Sequence, residues 1–471
     1  MKKYLLLILL SLFSLVVIAQ TKPSAGDGSK EKPYQIGNAQ ELLWFAGVVN
    51  GTLTDVPKDT LSCAELTADI DLSSVCGEEI GSWNSIGFSG NTYSGIFDGK
   101  GYGIKNLYAT GNSSVLGQGF FGITNSATIS NLSILSGSLN SYGSNIGAIA
   151  GNAYESTIVN CHNYISVSGG KFTGGIVGYT NGSSISRCHN EGNIDLYSDF
   201  GCGGICGATY GATVSYCCNV GEISGNSRVG SLVGSHEHGA SVKNSFSYNS
   251  SISLIGYNSS SSTSKCYFNN SNNSSNASFK TSDQFASGEV CYLLNEDSEM
   301  PVFFQSIGVD KYPLLNGNEV VVKEEDRYYN VSQSTCEHKD STYVAPTCAS
   351  SGITYCTKCH KLFDTVPSIP HDTIIVVTKQ TCTKIGYRTT KCSLCGLIIN
   401  RSDTVSALGH DSVFNHHQDA DCSFPEYDFY DCSRCGSSLS VLRAPNLGHD
   451  TLLIIHERTC GTNGYYEKKV Q

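Results

Sequence analysis

Cysteine and histidine recur at fixed intervals in the last third of the sequence. Each of three sets holds one His, one single Cys and a Cys-x-x-Cys pair. The single Cys follows its His by 10, 11 or 12 residues and precedes the pair by 8, 10 and 10 residues. The twelve residues are His338, Cys348, Cys356, Cys359, His371, Cys382, Cys392, Cys395, His410, Cys422, Cys432 and Cys435. Three thiolates and one imidazole are a usual ligand set of structural zinc, so the spacing predicts three Cys₃His zinc sites.

Zinc binding would also stabilise modules that are otherwise too small to fold. A module of about 34 to 40 residues cannot bury a sufficient core, whereas metal binding contributes ~10 kcal/mol or more of folding free energy per site. A closed set of four protein ligands leaves no coordination position for a substrate. The predicted zinc is therefore structural, not catalytic.

Two questions about these residues stay open at the level of sequence. The first is oxidation state, because exported proteins form disulfides; three Cys per module would leave one unpaired, and free thiols are a third possibility. The second is grouping. Each His could instead join the preceding Cys-x-x-Cys, which would place His371 with Cys348, Cys356 and Cys359.

A different cysteine pattern lies upstream and predicts no chemistry. Its members, spaced by 27 and 29 residues, are Cys161, Cys188 and Cys217. The next repeat holds Ser245 at this position, which can neither form a disulfide nor bind metal as a thiolate, so we interpret the column as buried structural side chains. His162 and His189 follow two of these cysteines. Because Cys218 takes the third place, we expect solvated histidines and no metal ladder there.

A Gly-x-aliphatic-x-Gly element sets the period of this upstream region. Its four clear copies are Gly147–Gly151, Gly174–Gly178, Gly203–Gly207 and Gly230–Gly234, with degenerate copies ending at Gly122 and Gly256. From Gly122 to Gly234 the closing glycines step by 29, 27, 29 and 27 residues. A step of this size is typical of one coil of a solenoid.

Apolar positions recur in columns at the same period. One column is Phe120, Ile149, Ile176, Ile205, Leu232 and Leu254; another is Val167, Ile194 and Ile223. Between them stand Ile158-x-x-Cys161 and its equivalents. A spacing of three breaks the period of two of a flat strand, so we expect a corner there. The columns and the turn-rich segments between them predict a mainly β chain with a parallel β-helix solenoid.

The segment from Gly174 to Asn190 resembles the GLUG-motif repeats of bacterial surface proteins. With its flanks the resemblance covers roughly residues 29 to 320 and implies a right-handed parallel β-helix. The Cys/His region resembles tandem repeats of bacterial surface proteins that read Gly-His, Thr-Cys, Gly-Tyr and Cys-x-x-Cys-Gly. Gly409-His410 and Thr381-Cys382 carry that likeness, and the modules are expected to be small, β and similar to zinc ribbons.

Solenoid ends expose unpaired edges and must be covered. Asn38 with Glu41 three residues later predicts a capping box that opens a helix from Ala39 to Val49. A second short helix is expected from Asp283 to Leu294. We assign both helices as end caps.

The beginning of the sequence predicts export. Lys2 and Lys3 precede an apolar run from Tyr4 to Ala19, which is typical of a secretory signal peptide. We expect a secreted or extracellular cell-surface protein, monomeric and without membrane insertion. The net charge of −11 argues against nucleic acid and anionic lipid as partners.

Five segments follow from these patterns. They are a signal peptide at 1–20, an N-terminal cap with the first coils at 21–118, GLUG-type repeats at 119–275, a C-terminal cap or linker at 276–332, and tandem Cys/His repeats at 333–471. The last repeat begins with His449 and Cys460, and its Cys-x-x-Cys would start near position 470. We therefore expect the sequence to be a fragment.

The sequence predicts display and binding, not catalysis. Between Gly111 and Asn270 there are six acids and five Lys or Arg, without the paired carboxylates that glycosidases require. We predict an adhesin-like rod that binds host or neighbouring-cell glycans or proteins. The alternatives are a passive structural stalk and a β-helix polysaccharide lyase or glycosidase. Tyrosines clustered on one face would favour adhesion, and an even coat of Ser and Asn would favour the stalk.

Overall fold

A computed structural model describes residues 20–470 except 113, 115, 199, 249–251, 270–276, 333–335, 349, 385, 397, 422, 448–450 and 462. Residues 1–19 of the predicted signal peptide, Cys422 and His449 thus lie outside the described residues. Strands make up 46% of the chain and helices 6%, which confirms a mainly β protein. Among the described residues, no helix has the length and apolar character needed to cross a membrane.

Parallel strands in the described part of the chain build a solenoid of about eight turns. Sheet I contains Tyr34–Ile36, Ala64–Leu66, Ile96–Asp98, Thr128–Ser130, Thr157–Val159, Ser184–Ser186, Thr213–Ser215, Ser241–Lys243 and Ser262–Ser264. Sheet II contains Ile70–Asp71, Gly103–Lys105, Ser133–Ile134, His162–Asn163, His189–Asn190, Cys218–Asn219, Phe246–Ser247, Tyr267–Phe268 and Ser278–Phe279. Sheet III contains Leu107–Gly111, Leu116–Gln118, Gly137–Gly147, Val167–Gly174, Ile194–Leu196, Cys202–Gly203, Ile223–Ser224 and Val229–Gly230. Sheet IV contains Phe121–Asn125, Ala150–Tyr154, Val177–Asn181, Cys206–Tyr210, Val233–Glu237 and Ile255–Ser259.

The apolar columns stack in register through these sheets. Val167 pairs with Ile194, and Ile194 pairs with Ile223. Phe120, its equivalents and the second column are buried or nearly so in one continuous hydrophobic core. The columns predicted from the repeat period are therefore confirmed.

The corner predicted between Ile158 and Cys161 lies between sheets I and II. Asn160 there has φ +54, in the left-handed region, and Arg187, Tyr216 and Asn244 repeat this conformation in the following coils. One left-handed residue turns the chain sharply, so Ile158 and Cys161 both face the core although they are three residues apart. This turn explains the spacing of three.

The closing glycine of each repeat is required by close approach of backbone. A Cβ on Gly178 would lie 2.3 Å from the Ile146 nitrogen and 2.4 Å from the Asn145 carbonyl carbon. A Cβ on Gly207 would lie 2.4 Å from the Phe172 carbonyl carbon. Each closing glycine thus packs against backbone of the preceding coil, where a side chain does not fit.

A ladder of buried asparagines follows the cysteine column. The Nδ2 of Asn163 donates to the Oδ1 of Asn190 at 2.7 Å, and the Nδ2 of Asn190 donates to the Oδ1 of Asn219 at 2.7 Å. Each amide also donates to a backbone oxygen two residues ahead, that of Ile165 or Gly192 in the first two coils. Burial of these amides is tolerated because their donors are paired.

Helix α1 (Ala39–Asn50) closes one end of the solenoid. The Asn38 side chain accepts a hydrogen bond from the Glu41 N–H at 3.0 Å. The Glu41 carboxylate accepts from the Gly37 N–H instead of the Asn38 N–H that a capping box would use. Phe45 packs against Tyr93 and Phe97, with ring centroids 6.1 and 5.9 Å apart. The predicted helix is present, with a modified cap.

The second predicted helix is divided into two. Helices α2 (Ser282–Ala286) and α3 (Glu289–Asn295) are separated at Gly288, which has φ +86. Phe246 packs against Phe285 of α2, and the Asn244 side chain donates to the Leu294 oxygen at 2.9 Å. Phe246 and Phe285 belong to a hydrophobic cluster separate from the main core, so the helices cover the side of the last coils.

Small antiparallel sheets follow the solenoid. A hairpin joins Glu319–Glu324 to Arg327–Ser332. The later strands are Ser341–Val344, Gly352–Cys356 and Leu362–Val366; Thr373–Thr378, Gly386–Cys392 and Ile398–Val405; Ser412–Gln418, Glu426–Cys432 and Ser438–Ala444; and the pair Thr451–His456 and Tyr465–Val470. The described residues form two compact units, one reaching Asp340 and including Cys356–Lys361, the other holding Ser341–Tyr355 and the residues from Leu362 onward.

Candidate metal centres

Three clusters of Cys and His side chains lie in the described part of the Cys/His region. Their members are Cys336, His338, Cys356 and Cys359; Cys348, His371, Cys392 and Cys395; and Cys382, His410, Cys432 and Cys435. Within each cluster the four potential ligand atoms lie within 4.8 Å of one another. Each cluster therefore offers three sulfurs and one imidazole nitrogen to a single ion.

The distances fit a tetrahedral zinc ion. The sulfur of the single cysteine lies 3.7, 3.5 and 3.6 Å from the first sulfur of the Cys-x-x-Cys pair in the three clusters. The second sulfur lies 3.3, 3.5 and 3.4 Å from the His Nδ1. Bond lengths of Zn–S and Zn–N place such atoms about 3.8 and about 3.6 Å apart on a tetrahedron. At these distances the paired sulfurs are not joined as disulfides.

The Cys-x-x-Cys turn presents both sulfurs to one point. The N–H of Gly396 donates to the Cys392 oxygen at 3.0 Å, and Gly436 makes the same bond to Cys432 at 2.9 Å. Both glycines are left-handed, with φ +76 and +70. His360 takes this place in the first cluster with φ +55. The tight turn follows from this left-handed residue after the second cysteine.

An aspartate fixes each later histidine relative to its Cys-x-x-Cys pair. The Ser393 N–H donates to the backbone oxygen of Asp372, and the Ser393 hydroxyl donates to the Asp372 carboxylate, at 2.7 Å each. Ser433 makes the same two bonds to Asp411 at 2.9 and 2.6 Å. Because these aspartates directly follow His371 and His410 and the serines follow the first cysteine of each pair, the bonds hold the two ligand segments together. The His-Asp and Cys-Ser dipeptides are the sequence signal of this support, which the spacing of Cys and His alone does not contain.

Hydrogen bonds prepare the first cysteine of each pair to be a thiolate. The Cys395 N–H lowers the pKa of Cys392 to about 6. At Cys356, desolvation opposes ionisation, but backbone N–H groups and His338 lower the pKa to about 6. At Cys432 the same balance lowers the pKa to about 5. Thiolate is the form that binds zinc, so the clusters are suited to a divalent cation.

The structure brings together eleven of the twelve predicted ligands, in a different grouping. Each His joins the Cys-x-x-Cys pair of its own set, as the first grouping had it. The single cysteine does not join the pair of its own set. Cys348 lies with His371 in the second cluster, and Cys382 lies with His410 in the third. The first cluster is completed by Cys336, which the repeat spacing did not predict although it lies two residues before His338. Cys422 lies outside the described residues.

An extended strand explains why both predicted groupings fail. Residues Gly386–Cys392 form a strand between the loop of Cys382 and the pair that begins at Cys392. A strand of this length spans roughly 20 Å, at about 3.3 Å per residue. The single cysteine therefore lies at the far end of its own strand from its own pair.

The upstream cysteines are structural, as expected. The sulfurs of Cys161, Cys188 and Cys217 each donate to the backbone oxygen two residues earlier, at 3.4, 3.2 and 3.3 Å. The Ser245 hydroxyl makes the same bond at 2.8 Å. A small side chain that donates this hydrogen bond is therefore sufficient at the position, and neither a disulfide nor a metal-binding thiolate is required.

The histidines beside this column are not the solvated side chains that we expected. His189 is buried, and desolvation lowers its pKa to about 4. His162 lies against it, with ring centroids 6.0 Å apart. Stacking of adjacent coils covers the rings. Among the described residues they belong to none of the metal clusters.

Comparison with known proteins assigns no family to this chain. No protein-family model, curated protein or solved structure matches it.

Proposed function

We propose that this chain is an exported, non-catalytic, adhesin-like protein whose solenoid displays a glycan-binding surface. The apolar segment that follows Lys2 and Lys3 and the resemblance of the coils to GLUG-motif repeats support export and surface exposure. A row of aromatic side chains on the solenoid carries the binding proposal. Such a row is what distinguishes a binding rod from a passive stalk.

The aromatic row continues across successive coils. It consists of Tyr154, Tyr179, Tyr210 and His238, with Phe172 and Phe200 beside it. Neighbouring tyrosine rings are 6.1 and 6.2 Å apart, and the His238 ring stacks on Tyr210 at 3.9 Å. Phe172 contacts both Tyr179 and Phe200, with centroids 5.9 and 5.6 Å apart. The three tyrosines are half-buried, so little side-chain entropy is lost when a ligand stacks on them.

The surroundings of the row favour a glycan over a protein. Asn181 is exposed and pairs in register with Tyr154 on one neighbouring strand and with Tyr210 on the other. The row therefore presents a side-chain amide beside the tyrosine rings and their hydroxyl groups. In the described residues from 120 to 248, the exposed large hydrophobic side chains are all aromatic. A sugar ring offers C–H faces for stacking and hydroxyls for hydrogen bonds, which matches rings with polar edges.

A glycan array followed by calorimetry on the best ligand tests this proposal. We expect the combined variant Tyr179→Ala and Tyr210→Ala to weaken binding at least tenfold, because two stacking faces of about 1 kcal/mol or more each are lost. Tyr102→Ala is the control, since Tyr102 is an accessible tyrosine that lies outside the row. Its affinity should equal that of the parent chain.

Other outcomes would replace the proposal. Absence of glycan and protein binding would leave the passive stalk, and binding of proteins alone would leave a protein adhesin. Glycan cleavage would make the chain a polysaccharide-active enzyme.

We further propose that the Cys/His clusters bind structural zinc. The tetrahedral distances and the lowered pKa of one cysteine in each support this metal. The likeness to tandem Cys/His repeats of bacterial surface proteins agrees with it. Metal analysis of the purified chain should give three zinc ions for the three described clusters, and a thiol count in denaturant should give reduced cysteines. Absence of metal with few free thiols would show disulfides instead.

A further inference from the structure

We infer that the metal sites interlock the modules: the single cysteines Cys348 and Cys382 each ligate the ion of the following module. This inference rests on the proposed zinc sites and adds which modules each ion joins. Cys382 lies in the loop between strands Thr373–Thr378 and Gly386–Cys392, yet its sulfur meets the Cys432 sulfur of the next sheet. Cys348 meets Cys392 in the same way.

The sequence separation of the partners is too large for a local zinc knuckle. The single cysteine and the first cysteine of its pair are 44 residues apart in the second cluster and 50 in the third. In the first cluster, Cys336 supplies this ligand from 20 residues before Cys356. The series thus begins with a site that needs no cysteine from an earlier module.

Backbone pairing fixes each crossing independently of the sulfurs. The Leu408 N–H donates to the Thr381 oxygen at 2.9 Å, directly beside Cys382 and two residues before His410. The Ile369 N–H makes the corresponding bond to the Thr347 oxygen at 3.0 Å, beside Cys348. The same bond joins Leu447 to Asp421 at 2.8 Å. The loop that carries the single cysteine is therefore held against the segment that leads to the next histidine.

Interlocked ions would couple the folding of neighbouring modules. An ion bound to Cys382, His410 and Cys432 closes a loop that contains two strands of one sheet and two of the next. Closing a long loop removes conformational freedom from the unfolded chain. Each module is then stabilised by an ion that it shares with its neighbour.

Pulsed alkylation tests the interlock in the full chain loaded with Zn²⁺ alone. N-ethylmaleimide should label exposed Cys460 quickly and the cluster cysteines at least tenfold more slowly. In Cys382→Ser, we expect fast labelling of Cys432 and Cys435 and continued protection of Cys392 and Cys395. Fast labelling of Cys392 and Cys395 in this variant would overturn the interlock.

A second variant covers the case in which loss of Cys382 disturbs its own sheet. His410→Ala leaves the loop sequence intact and should make Cys382 reactive while Cys348 stays protected. Protection of Cys382 in His410→Ala would overturn the interlock, and Cys460→Ser serves as the control that changes no protection. Fast labelling of every cluster cysteine in the parent chain would refute the zinc proposal itself, leaving the glycan proposal unaffected.

Discussion

Single buried polar groups determine how the coils of the solenoid stack. The amide of Asn190 accepts from Asn163 and donates to Asn219 and to the Gly192 oxygen. A buried group of this kind contributes little net energy while it is paired, but its loss leaves several partners unsatisfied. The asparagine ladder is therefore a point at which one substitution affects three coils.

We expect Asn190→Ala to lower the free energy of unfolding of the solenoid by about 3 kcal/mol, because a donor on one side and acceptors on the other lose their partner. Urea unfolding followed by circular dichroism measures the change. Asn125→Ala, at an exposed solenoid position, should change stability by less than about 0.5 kcal/mol. Equal losses in the two variants would contradict the role of the ladder.

At the scale of the residue, the sequence predicts which residues are potential metal ligands better than it predicts which of them share a cluster. The Cys-x-x-Cys pairs and their histidines were predictable because the turn that forms the pair is local. The allocation of Cys348 and Cys382 was not, because it depends on a strand that separates each from its own pair. The asparagine two residues after Cys161, Cys188 and Cys217 was visible in the sequence, but its burial follows only from stacking of coils.

At the scale of the element, two local features determine the shape of each coil: the corner between sheets I and II, and the close contact between the closing glycine and neighbouring backbone. The left-handed residue between sheets I and II turns the chain, and the closing glycine lets the preceding coil approach sheet IV. The corner was predicted from the spacing of three. The recurring glycines predicted only the period of the coils, because their close approach to backbone arises when the coils stack. The division of the second cap at Gly288 was not predicted, because the helical pattern on either side continues through it.

Gly178→Ala tests the close approach. The added methyl group would overlap backbone atoms of Ile146 and Asn145, which no side-chain rotation relieves, so we expect a loss of about 3 kcal/mol or more. Gly239→Ala is the control: Gly239 has φ +73 but open space around its Cβ position, so only backbone strain of about 1 kcal/mol is expected. A smaller loss for Gly178→Ala than for Gly239→Ala, by thermal unfolding, would contradict the packing argument.

On the scale of the whole molecule, the chain combines two modes of stabilisation. The solenoid buries a continuous apolar core, whereas the antiparallel sheets of the second unit expose many large apolar side chains, among them Ile375, Val377 and Leu453. The sequence predicted a Cys/His region distinct from the β-helix, beginning at residue 333. The position of the second cap did not follow from the sequence. One column of side chains runs from His162 and His189 to Cys218 and Phe246. The helices cover only its later members, and the repeat pattern does not mark where that cover begins.

Removal of metal should therefore affect the two parts differently. After EDTA treatment we expect trypsin to degrade the region beyond the solenoid while a fragment ending near residue 332 survives, because the metal clusters in the described residues begin at Cys336. An ion at 100 times its dissociation constant contributes about 2.7 kcal/mol per site. Added Zn²⁺ should restore resistance, and mass spectrometry of the fragments measures both states. Degradation unaffected by EDTA would contradict metal-dependent folding.

The repetition of the same columns in every coil has a consequence for the history of the gene. Gly151 and Gly178 occupy equivalent places in consecutive coils, so loss of the 27 residues that follow Gly151 would join two coils in correct phase. Unequal recombination between repeats can thus shorten or lengthen the solenoid by whole coils without creating a new kind of contact. Alleles of different length are the expected form of natural variation in such a protein.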